Sequence, residues 1–579
     1  MSVMGNGPQK SAQKSPTQKL EGTTKQALET GRTRLLLTGA MFLLAFTVIC
    51  ARLADVAVFK PGAEPKLAAS QAARNAWPTT RADIVDRNGN LLASSLVTAS
   101  LYANPRQILD VKDAAQKLLT VLPEISLAEM QTKLSGNRSF VWLRRHLTPK
   151  QQYEVNRLGI PGVYFQRDER RVYPQGPLAA HVVGFTGVDN DGLAGIERSF
   201  DEVLKGGGRG LALSIDLRIQ HVLRQEITTG MKRVNAIGGA GMVLDVQTGE
   251  LLGMVSLPDF DPHNPTSLDP KTLFNRNTLG VYEQGSMFKL FTAALALDSG
   301  AATMNSSFDA SKPIKISRFT ISDFQGKGRV LSLPEVLVYS SNIGAAKMAL
   351  AAGAETQKKY LGGFGLLRKP TLEIPDIGAP IVPAQWKEIN TMTIGFGHGL
   401  AVSPLQMASG ILAIANGGVM RPVTVLKRAP GEAPQGNRVI SQRTALDVQK
   451  LMRLVVTDGS GKNANVPGYL VGGKTGTAEK VGDHGGYKRR AVLSSFVSAF
   501  PMTNPRYVVL VSIDEPQPIK ENFGYITAGW VATPVVGRII PRIAPILGVT
   551  PVDDQAADVK ARMFVNYSSA KGRPSAAVE

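Results

Sequence analysis

The segment YEQGSMFK at residues 282–289, followed by an apolar run at residues 290–297, decides the fold of this chain. The apolar run predicts a helix that begins near Gly285 and ends at Ser299-Gly300. On such a helix Ser286 and Lys289 lie three positions apart, on one face in adjacent turns. The segment therefore places a hydroxyl beside an amine.

A serine hydroxyl is a weak nucleophile at neutral pH, so Ser286 needs a base within hydrogen-bond reach. Lysine can serve as that base when burial and nearby positive charge keep it deprotonated for part of the cycle. A position at the helix start also favours the negative charge that develops during attack. The pair of Ser286 and Lys289 thus predicts acyl transfer.

Two further motifs support this interpretation, because Ser-x-x-Lys alone is weak and recurs twice in the polar ends of the chain. Ser340-Ser341-Asn342 lies in a stretch of small residues, and KTGT at residues 474–477 has the pattern of a strand. The three motifs in this order are the signature of class A β-lactamases and penicillin-binding proteins. The chain therefore resembles the penicilloyl-serine transferases.

This resemblance implies catalytic roles for five residues. Ser286 would be the acylated nucleophile and Lys289 the base that activates it. Ser340 would relay a proton to the leaving amine, and Asn342 would hydrogen-bond the peptide amide of the substrate. Lys474 would set the electrostatic potential of the site.

The same resemblance implies that Thr475, Gly476 and Thr477 bind substrate. The two threonine hydroxyls would hold the terminal carboxylate of the donor peptide. The oxyanion would lie between the backbone N–H groups of Ser286 and Thr477.

The region before the motifs carries a second resemblance. RADIVDRNGNLLA at residues 81–93, RRVYP at 170–174, GFT at 184–186 and GIE at 195–197 read as turns and strands, and the Asn-Gly pair predicts a hairpin. In this order they resemble the N-terminal pedestal of class B penicillin-binding proteins, most closely the division-specific subfamily. The resemblance implies contact with partner proteins. It also implies that a partner polymerises the glycan, because we find no glycosyltransferase-like sequence before the pedestal.

An apolar run at residues 35–51 continues, after Arg52, through Phe59 and follows a polar segment rich in lysine and arginine. Its length is near the lower limit for crossing a bilayer. We predict one transmembrane helix, a cytoplasmic N-terminus and an exported remainder. A cleaved signal peptide is the alternative, but the preceding polar segment is long and no clear small-x-small cleavage site follows.

Composition argues against nucleic-acid binding, an internal disulfide and a metal site. The 579 residues carry a net charge of +20, but lysine and arginine are scattered and no basic run adjoins aromatic residues, so no nucleic acid is expected. Cys50 is the single cysteine, which rules out an internal disulfide. The six histidines form no His-x-x-x-His pair, so we expect no metal, and no motif calls for a cofactor.

The predicted fold is α+β, with strands, then helices, then strands, which indicates an antiparallel sheet flanked by helices. This is the penicilloyl-serine transferase fold, preceded by one transmembrane helix and an extended α+β pedestal domain. The predicted domains are a disordered cytoplasmic tail at 1–34, the transmembrane helix at 35–59, the pedestal (dimerisation-type) domain at 60–205, the transpeptidase domain at 206–550 and a disordered C-terminal tail at 551–579.

Two glycine-rich segments need separate interpretation. GSGK at residues 459–462 lacks the earlier glycine of a phosphate-binding loop and follows a helical pattern, so it is predicted to be a surface turn. GFGHG at residues 395–399 has the wrong spacing for a dinucleotide fingerprint. The resemblance places the latter near the floor of the active site.

The resemblance implies a peptidoglycan D,D-transpeptidase of the inner membrane that cross-links stem peptides during septal wall synthesis. Its ligands would be stem peptides on lipid-linked nascent glycan, and β-lactams as covalent inhibitors. Its partners would be a membrane glycan polymerase and other divisome proteins. An elongation-type class B transpeptidase is the main alternative. A serine β-lactamase would need a carboxylate to activate water, and a β-lactam sensor would need more spans and a cytoplasmic signalling domain.

Overall fold

The structure, a computed structural model, describes residues 17–54, 80–208, 210–264, 269–316, 319–482, 486–565 and 567. It divides the chain into two units, Met1–Pro78 and Thr79–Glu579.

The first unit contains one long helix, α1 (Thr17–Ala54). Its segment Arg32–Ala51 has 20 residues and a mean hydropathy of 2.0, which is long and apolar enough to cross a membrane. This helix begins at Thr17, within the segment 1–34 for which a disordered cytoplasmic tail is predicted, and that domain assignment stays a prediction. Residues 17–34 include Lys, Gln, Leu, Ala and Glu, which favour helix, and they extend a helix already nucleated by the apolar run. Residues 1–16 and 55–59 lie outside the described part of the chain.

The second unit begins with a small sheet and its helices. Its strands are β1 (Ile84–Val85), β2 (Leu91–Ala103), β3 (Val141–Leu147), β4 (Val163–Val172) and β5 (Leu211–Ala212). Its helices are α2 (Val111–Val121), α3 (Leu127–Leu134), α4 (Pro149–Arg157), α5 (Ala180–Val183), α6 (Gly195–Ser199) and α7 (Asp201–Lys205). The order is β3-β2-β1-β5 with β4 beside β2, and only β1 and β5 are parallel. The predicted Asn-Gly hairpin is confirmed as the β1–β2 turn.

A buried charge network joins the segments whose order resembles the class B pedestal. Arg81 donates to Glu197 at 2.6 Å and Arg171 donates to the other carboxylate oxygen at 2.7 Å. Arg81 also donates to Asp201 at 2.7 Å. Unpaired buried charges are strongly destabilising. These ion pairs therefore hold together the segments at residues 81–93, 170–174 and 195–197.

The second unit continues with a five-stranded antiparallel sheet of order β16-β17-β18-β6-β7. Its strands are β6 (Gly238–Asp245), β7 (Leu251–Leu257), β16 (Gly472–Val481), β17 (Tyr487–Phe500) and β18 (Tyr507–Asp514). Short strands between them are β8 (Tyr282–Glu283), β9 (Ser307–Asp309), β10 (Ile314–Ile316), β11 (Phe319–Ile321), β12 (Val330–Ser332), β13 (Ala401–Val402), β14 (Val419–Met420) and β15 (Asn437–Arg438). The predicted α+β class with an antiparallel sheet is confirmed.

Helices cover both faces of this sheet. They are α8 (Leu217–Arg233), α9 (Pro270–Leu273), α10 (Lys289–Asp298), α11 (Leu333–Val338), α12 (Asn342–Ala352), α13 (Ala354–Gly363), α14 (Glu388–Gly395), α15 (Pro404–Ala415), α16 (Gln442–Asp458), α17 (Ala532–Ile546) and α18 (Ala557–Met563). One core contains α10, α15 and α16, and a second core contains α8 and α17. Strands β6, β7 and β18 are therefore buried along their whole length.

Helix α18 lies beyond residue 550, within the segment 551–579 for which a disordered tail is predicted, and that domain assignment stays a prediction. Helix α18 packs on the catalytic core through Val559, which is 9% exposed, and Val552 N–H donates to Gly468 O at 2.9 Å. The apolar residues Val559 and Met563 are four positions apart, so they share one helix face. Residues 568–579 lie outside the described part.

His181 in α5 contacts α9, where its Nε2 donates to Thr272 O at 2.8 Å. Burial lowers its pKa from 6.5 to about 4. The unfolded chain therefore takes up a proton near pH 6.5, whereas the folded chain resists it until about pH 4. This contribution to stability is complete above pH 6.5 and is lost as the pH falls toward 4, by about 3 kcal/mol.

Denaturant unfolding of the full-length protein in detergent at pH 7.5, 5.5 and 4.5 tests this expectation. The stability of His181→Gln should fall less steeply with acid than that of the natural chain, although the variant is less stable at pH 7.5. Equal pH dependence of the two proteins would contradict the assignment.

Candidate active site

The chain enters the site through a 3₁₀ helix, Gly285–Phe288, which continues directly into α10. The sequence predicted an α-helix from Gly285, and the structure differs in its first turn. Residues i and i+3 stack directly in a 3₁₀ helix. Ser286 Oγ and Lys289 Nζ are accordingly 2.8 Å apart.

Lys289 is the centre of the hydrogen-bond network. It is 1% exposed, and its Nζ donates to Ser340 Oγ at 3.1 Å, to Ser340 O at 2.5 Å and to Asn342 Oδ1 at 2.8 Å. Ser340 joins α11 to α12 with φ of +55°, a left-handed conformation that is costly for serine. Such strain is typical of functional positions. The structure thus brings the first two motifs into direct contact.

Lys474 brings the third motif to the same point. It lies on β16, is fully buried, and its Nζ donates to Ser340 Oγ at 2.9 Å and to Thr475 Oγ1 at 3.2 Å. Two lysine side chains therefore contact one serine oxygen. All five residues predicted to be catalytic lie in one connected cluster.

Asp323, which the sequence reasoning missed, holds the Ser340-Ser341-Asn342 turn in place. Its carboxylate accepts from Ser341 Oγ at 2.7 Å and from Ile343 N–H at 3.0 Å. Asn342 Nδ2 also donates to Ser322 O at 3.1 Å. We find no sequence signal that would have identified Asp323, because it lies far from the motif in the chain.

Three glycines allow three backbone segments to meet beside Ser286. A Cβ on Gly397 would lie 1.9 Å from Gly285 O, and a Cβ on Gly476 would lie 2.4 Å from Gln284 O. Gly285 has φ of +54°, and its N–H donates to Gly397 O at 3.2 Å. Only glycine permits this approach, so the GFGHG segment contributes backbone to the site, near the nucleophile.

Gly397→Ala should disturb this arrangement with little change to the distant core. The new methyl group forces Gly285 away and moves Ser286, and a displacement of about 1 Å can cost about 10²-fold in rate. We expect acylation by a fluorescent penicillin to slow by at least about 10²-fold. Gly300→Ala is a suitable comparison, because its φ is also positive but nothing lies within 4 Å of its Cβ. Equal acylation rates in the two variants would contradict the argument.

The cluster opens into a cleft of about 490 Å³. Thr475, Thr477 and Glu479 line one side of it, and Ser340 and Asn342 are also among its lining residues. Thr477 Oγ1 accepts from Ala528 N–H at 3.0 Å, which ties β16 to a neighbouring loop. Of the three residues predicted to bind substrate, Thr475 and Thr477 line the cleft, and Gly476 lies between them against the Gln284 backbone.

The prediction that residues 459–462 form a surface turn was wrong. Ser460 is 5% exposed, lines the cleft and shares a hydrogen bond of 2.6 Å between its Oγ and Thr475 Oγ1. A Cβ on Gly459 would lie 2.8 Å from Val338 O, so this turn packs against the end of α11. Turn-forming residues predict a turn, but they do not indicate whether the turn faces solvent or lines a cleft.

His398 lines the cleft at the end where Glu479 lies. Its ring packs against Phe396 at 5.3 Å and against Tyr487 at 6.1 Å between centroids. Burial is the main cause that lowers the pKa of His398, so its neutral form is favoured. Among the described residues no group of His, Cys, Asp and Glu has the arrangement to hold a metal ion.

Two family models match the chain. A penicillin-binding protein transpeptidase domain matches residues 239–540, and a penicillin-binding protein dimerisation domain matches residues 76–211.

Curated relatives and solved structures match it as well. A probable peptidoglycan D,D-transpeptidase FtsI of Caulobacter vibrioides is 42% identical over 81% of this chain and 82% of its own length. The peptidoglycan D,D-transpeptidase FtsI of Escherichia coli K12 is 29% identical over 93% and 96%. A crystal structure of penicillin-binding protein 3 from Mycobacterium tuberculosis, complexed with ampicillin, has a TM-score of 0.67 at 25% identity, covering 85% of this chain and 99% of that one.

Proposed function

Because the chain belongs to the penicillin-binding protein transpeptidases, we propose that it is a peptidoglycan D,D-transpeptidase that works through an acyl-Ser286 intermediate during septal wall synthesis. The observation that carries this proposal is the contact of 2.8 Å between Lys289 Nζ and Ser286 Oγ, beside a Ser340 hydroxyl that both Lys289 and Lys474 contact. This contact supports the proposed roles of Ser286 as nucleophile, Lys289 as its base and Ser340 as proton relay.

In the first step, Lys289 Nζ takes the proton of Ser286 while Oγ attacks the carbonyl carbon of the penultimate D-alanine. The backbone N–H groups of Ser286 and Thr477 stabilise the oxyanion. The C–N bond breaks, Ser340 Oγ gives its proton to the leaving amine of the terminal D-alanine, and Lys289 Nζ passes the proton taken from Ser286 to Ser340 Oγ. The contacts of Ser340 Oγ with Lys289 and Lys474 support this relay.

In the second step, the side-chain amine of a neighbouring stem peptide attacks the ester carbonyl. The amine loses its proton through the same relay, the C–O bond of the ester breaks, and Ser286 Oγ regains a proton. The product is an amide cross-link. Since the amide formed replaces the amide broken, no energy source besides the stem peptide is needed.

The donor is proposed to bind along β16. The terminal carboxylate lies against the hydroxyls of Thr475 and Thr477, with Lys474 supplying positive potential. Gly476 lets the strand approach the nucleophile, because a Cβ there would lie 2.4 Å from Gln284 O. Asn342 hydrogen-bonds the peptide amide of the donor.

A β-lactam carries a strained amide and a carboxylate in the same relative positions, so it should acylate Ser286 as well. The relative from M. tuberculosis was solved with ampicillin, which supports this expectation.

The helix at Arg32–Ala51 is proposed to anchor the protein in the inner membrane with the catalytic domain outside the cytoplasm. A membrane glycan polymerase and other divisome proteins are the proposed partners.

The proposal is tested by incubating the full-length protein in detergent with a stem peptide that ends in D-Ala-D-Ala and a second, amine-bearing stem peptide. Mass spectrometry should detect the cross-linked product and free D-alanine in equal amounts. Release of D-alanine without cross-linked product would identify a hydrolase instead. In cells, a fluorescent fusion at midcell supports division, and one along the side wall supports the elongation-type alternative.

A further inference from the structure

Three side chains on β16 form a line along the cleft. Thr475, Thr477 and Glu479 occupy alternate positions, so they project to the same face, and all three line the cleft. Lys480 projects to the other face, where it pairs with Asp514 at 2.9 Å and with Glu515 at 2.9 Å. The lysine next to Glu479 therefore does not neutralise it.

The end of the cleft near Glu479 is negatively charged. Glu283 is held there by Gly399 N–H at 2.6 Å and by the Tyr487 hydroxyl at 3.0 Å. Coulombic effects of Glu283 and Glu479 act on both His398 and Tyr487, which places the two carboxylates near the same pair of rings. Burial favours the neutral form of each ring, because it lowers the pKa of His398 and raises that of Tyr487.

His398 indicates that a polar ligand binds at the end of the cleft near Glu479. It lines the cleft, and within the described residues its Nδ1 is buried without a hydrogen-bond partner. A buried nitrogen without a partner is costly unless a bound molecule satisfies it. Glu479 is exposed to the cleft and has no ion-pair partner in the described part of the chain.

The proposed function fixes which part of the substrate reaches this end. If the terminal carboxylate of the donor lies at Thr475 and Thr477 and its penultimate carbonyl lies at Ser286, the upstream residues must leave in the opposite direction. Two positions along a strand are about 7 Å. The side chain of the third stem residue, one position before the acylated D-alanine, then lies within reach of Glu479.

We propose that Glu479 is a specificity-determining residue that binds the side-chain ammonium of the third residue of the donor stem peptide. Glu283 adds negative charge behind it, and His398 lines the same subsite. The inference rests on the proposed function and deepens it. A stem whose third-residue amine is already cross-linked has lost its positive charge, so it is a poorer donor. The enzyme therefore selects donors that have not yet served as acceptors.

The test compares two donors on the full-length protein in detergent, Nα-acetyl-L-Lys-D-Ala-D-Ala and the same peptide with its side-chain amine acetylated. Release of D-alanine gives kcat/KM for each, and penicillin labelling counts the active sites in each preparation. We expect the free amine to be preferred about tenfold by the natural chain. In Glu479→Gln the ratio should fall close to one.

Glu355→Gln is the matched control, because the Glu355 side chain is 86% exposed and, within the described residues, has Lys358 on the surface as its one ion-pair partner. It should keep the natural preference. A ratio near one in the natural chain, or an unchanged ratio in Glu479→Gln, would overturn this inference alone. Failure of both peptides to release D-alanine from penicillin-reactive protein would overturn the proposed donor reaction itself.

Discussion

Replacing Ser286 with alanine is expected to abolish covalent labelling by penicillin. The methyl group of alanine cannot attack the β-lactam carbonyl, and the proposed mechanism assigns the attack to the Ser286 hydroxyl. Loss of a catalytic nucleophile can cost about 10⁶-fold in rate, so no adduct should form within hours. Gel fluorescence after exposure to a fluorescent penicillin measures the effect.

Ser299→Ala is the matched control for that experiment. Ser299 lies at the other end of the same helix, and among the described residues its hydroxyl has one hydrogen-bond partner, Ala296 O at 3.4 Å. This variant should label at the natural rate. Labelling of Ser286→Ala at a comparable rate would show that another residue is the nucleophile.

Replacing Lys289 should have the second largest effect. Lys289→Met removes the base and leaves Ser286 Oγ and Asn342 Oδ1 without their donor, so acylation should slow by about 10³-fold. Lys289→Arg is the more informative change. Arginine keeps the positive charge and can donate hydrogen bonds, but it does not lose its proton in proteins. If the role of Lys289 is that of a base, Lys289→Arg should be slowed as much as Lys289→Met.

Stopped-flow acylation by a fluorescent penicillin measures both rates, and melting temperatures show whether each variant is folded. Lys358→Arg, on the surface, serves as the comparison. A folded Lys289→Arg protein that acylates within about tenfold of the natural rate would assign Lys289 an electrostatic role instead of that of a base.

The pairing of Ser286 with Lys289 could be predicted because it depends on local spacing. Three positions on any helical turn bring the two side chains to one side, and the apolar run after them fixes the direction of the helix. The 3₁₀ geometry of the first turn could not be predicted, since it depends on the approach of Gly397 to Gly285.

The meeting of the Ser340 and Lys474 segments with Ser286 was predicted from resemblance alone. Sequence periodicity does not report contacts between distant segments. For the same reason Asp323 was missed and Ser460 was assigned to a surface turn. Both act through tertiary contacts, with Ser341 and Thr475 respectively.

The C-terminal end of the chain shows a different limit of prediction from sequence, which concerns average composition. Residues 551–565 are polar on average, but a few apolar side chains at helical spacing are enough to pack them on the core. Average composition does not report such spacing, so it could not predict the packing of α18. The predicted domain boundaries remain predictions, as do the roles assigned to the eight site residues.

The most direct test is to locate the penicillin adduct by peptide mapping. The full-length protein is exposed briefly to penicillin, left in buffer for increasing times, digested and analysed by mass spectrometry. One adduct is expected, on the peptide that contains Ser286, and it should persist for many minutes. An adduct on a different peptide, or its loss within seconds, would contradict the assignment of Ser286 as the nucleophile of a transpeptidase.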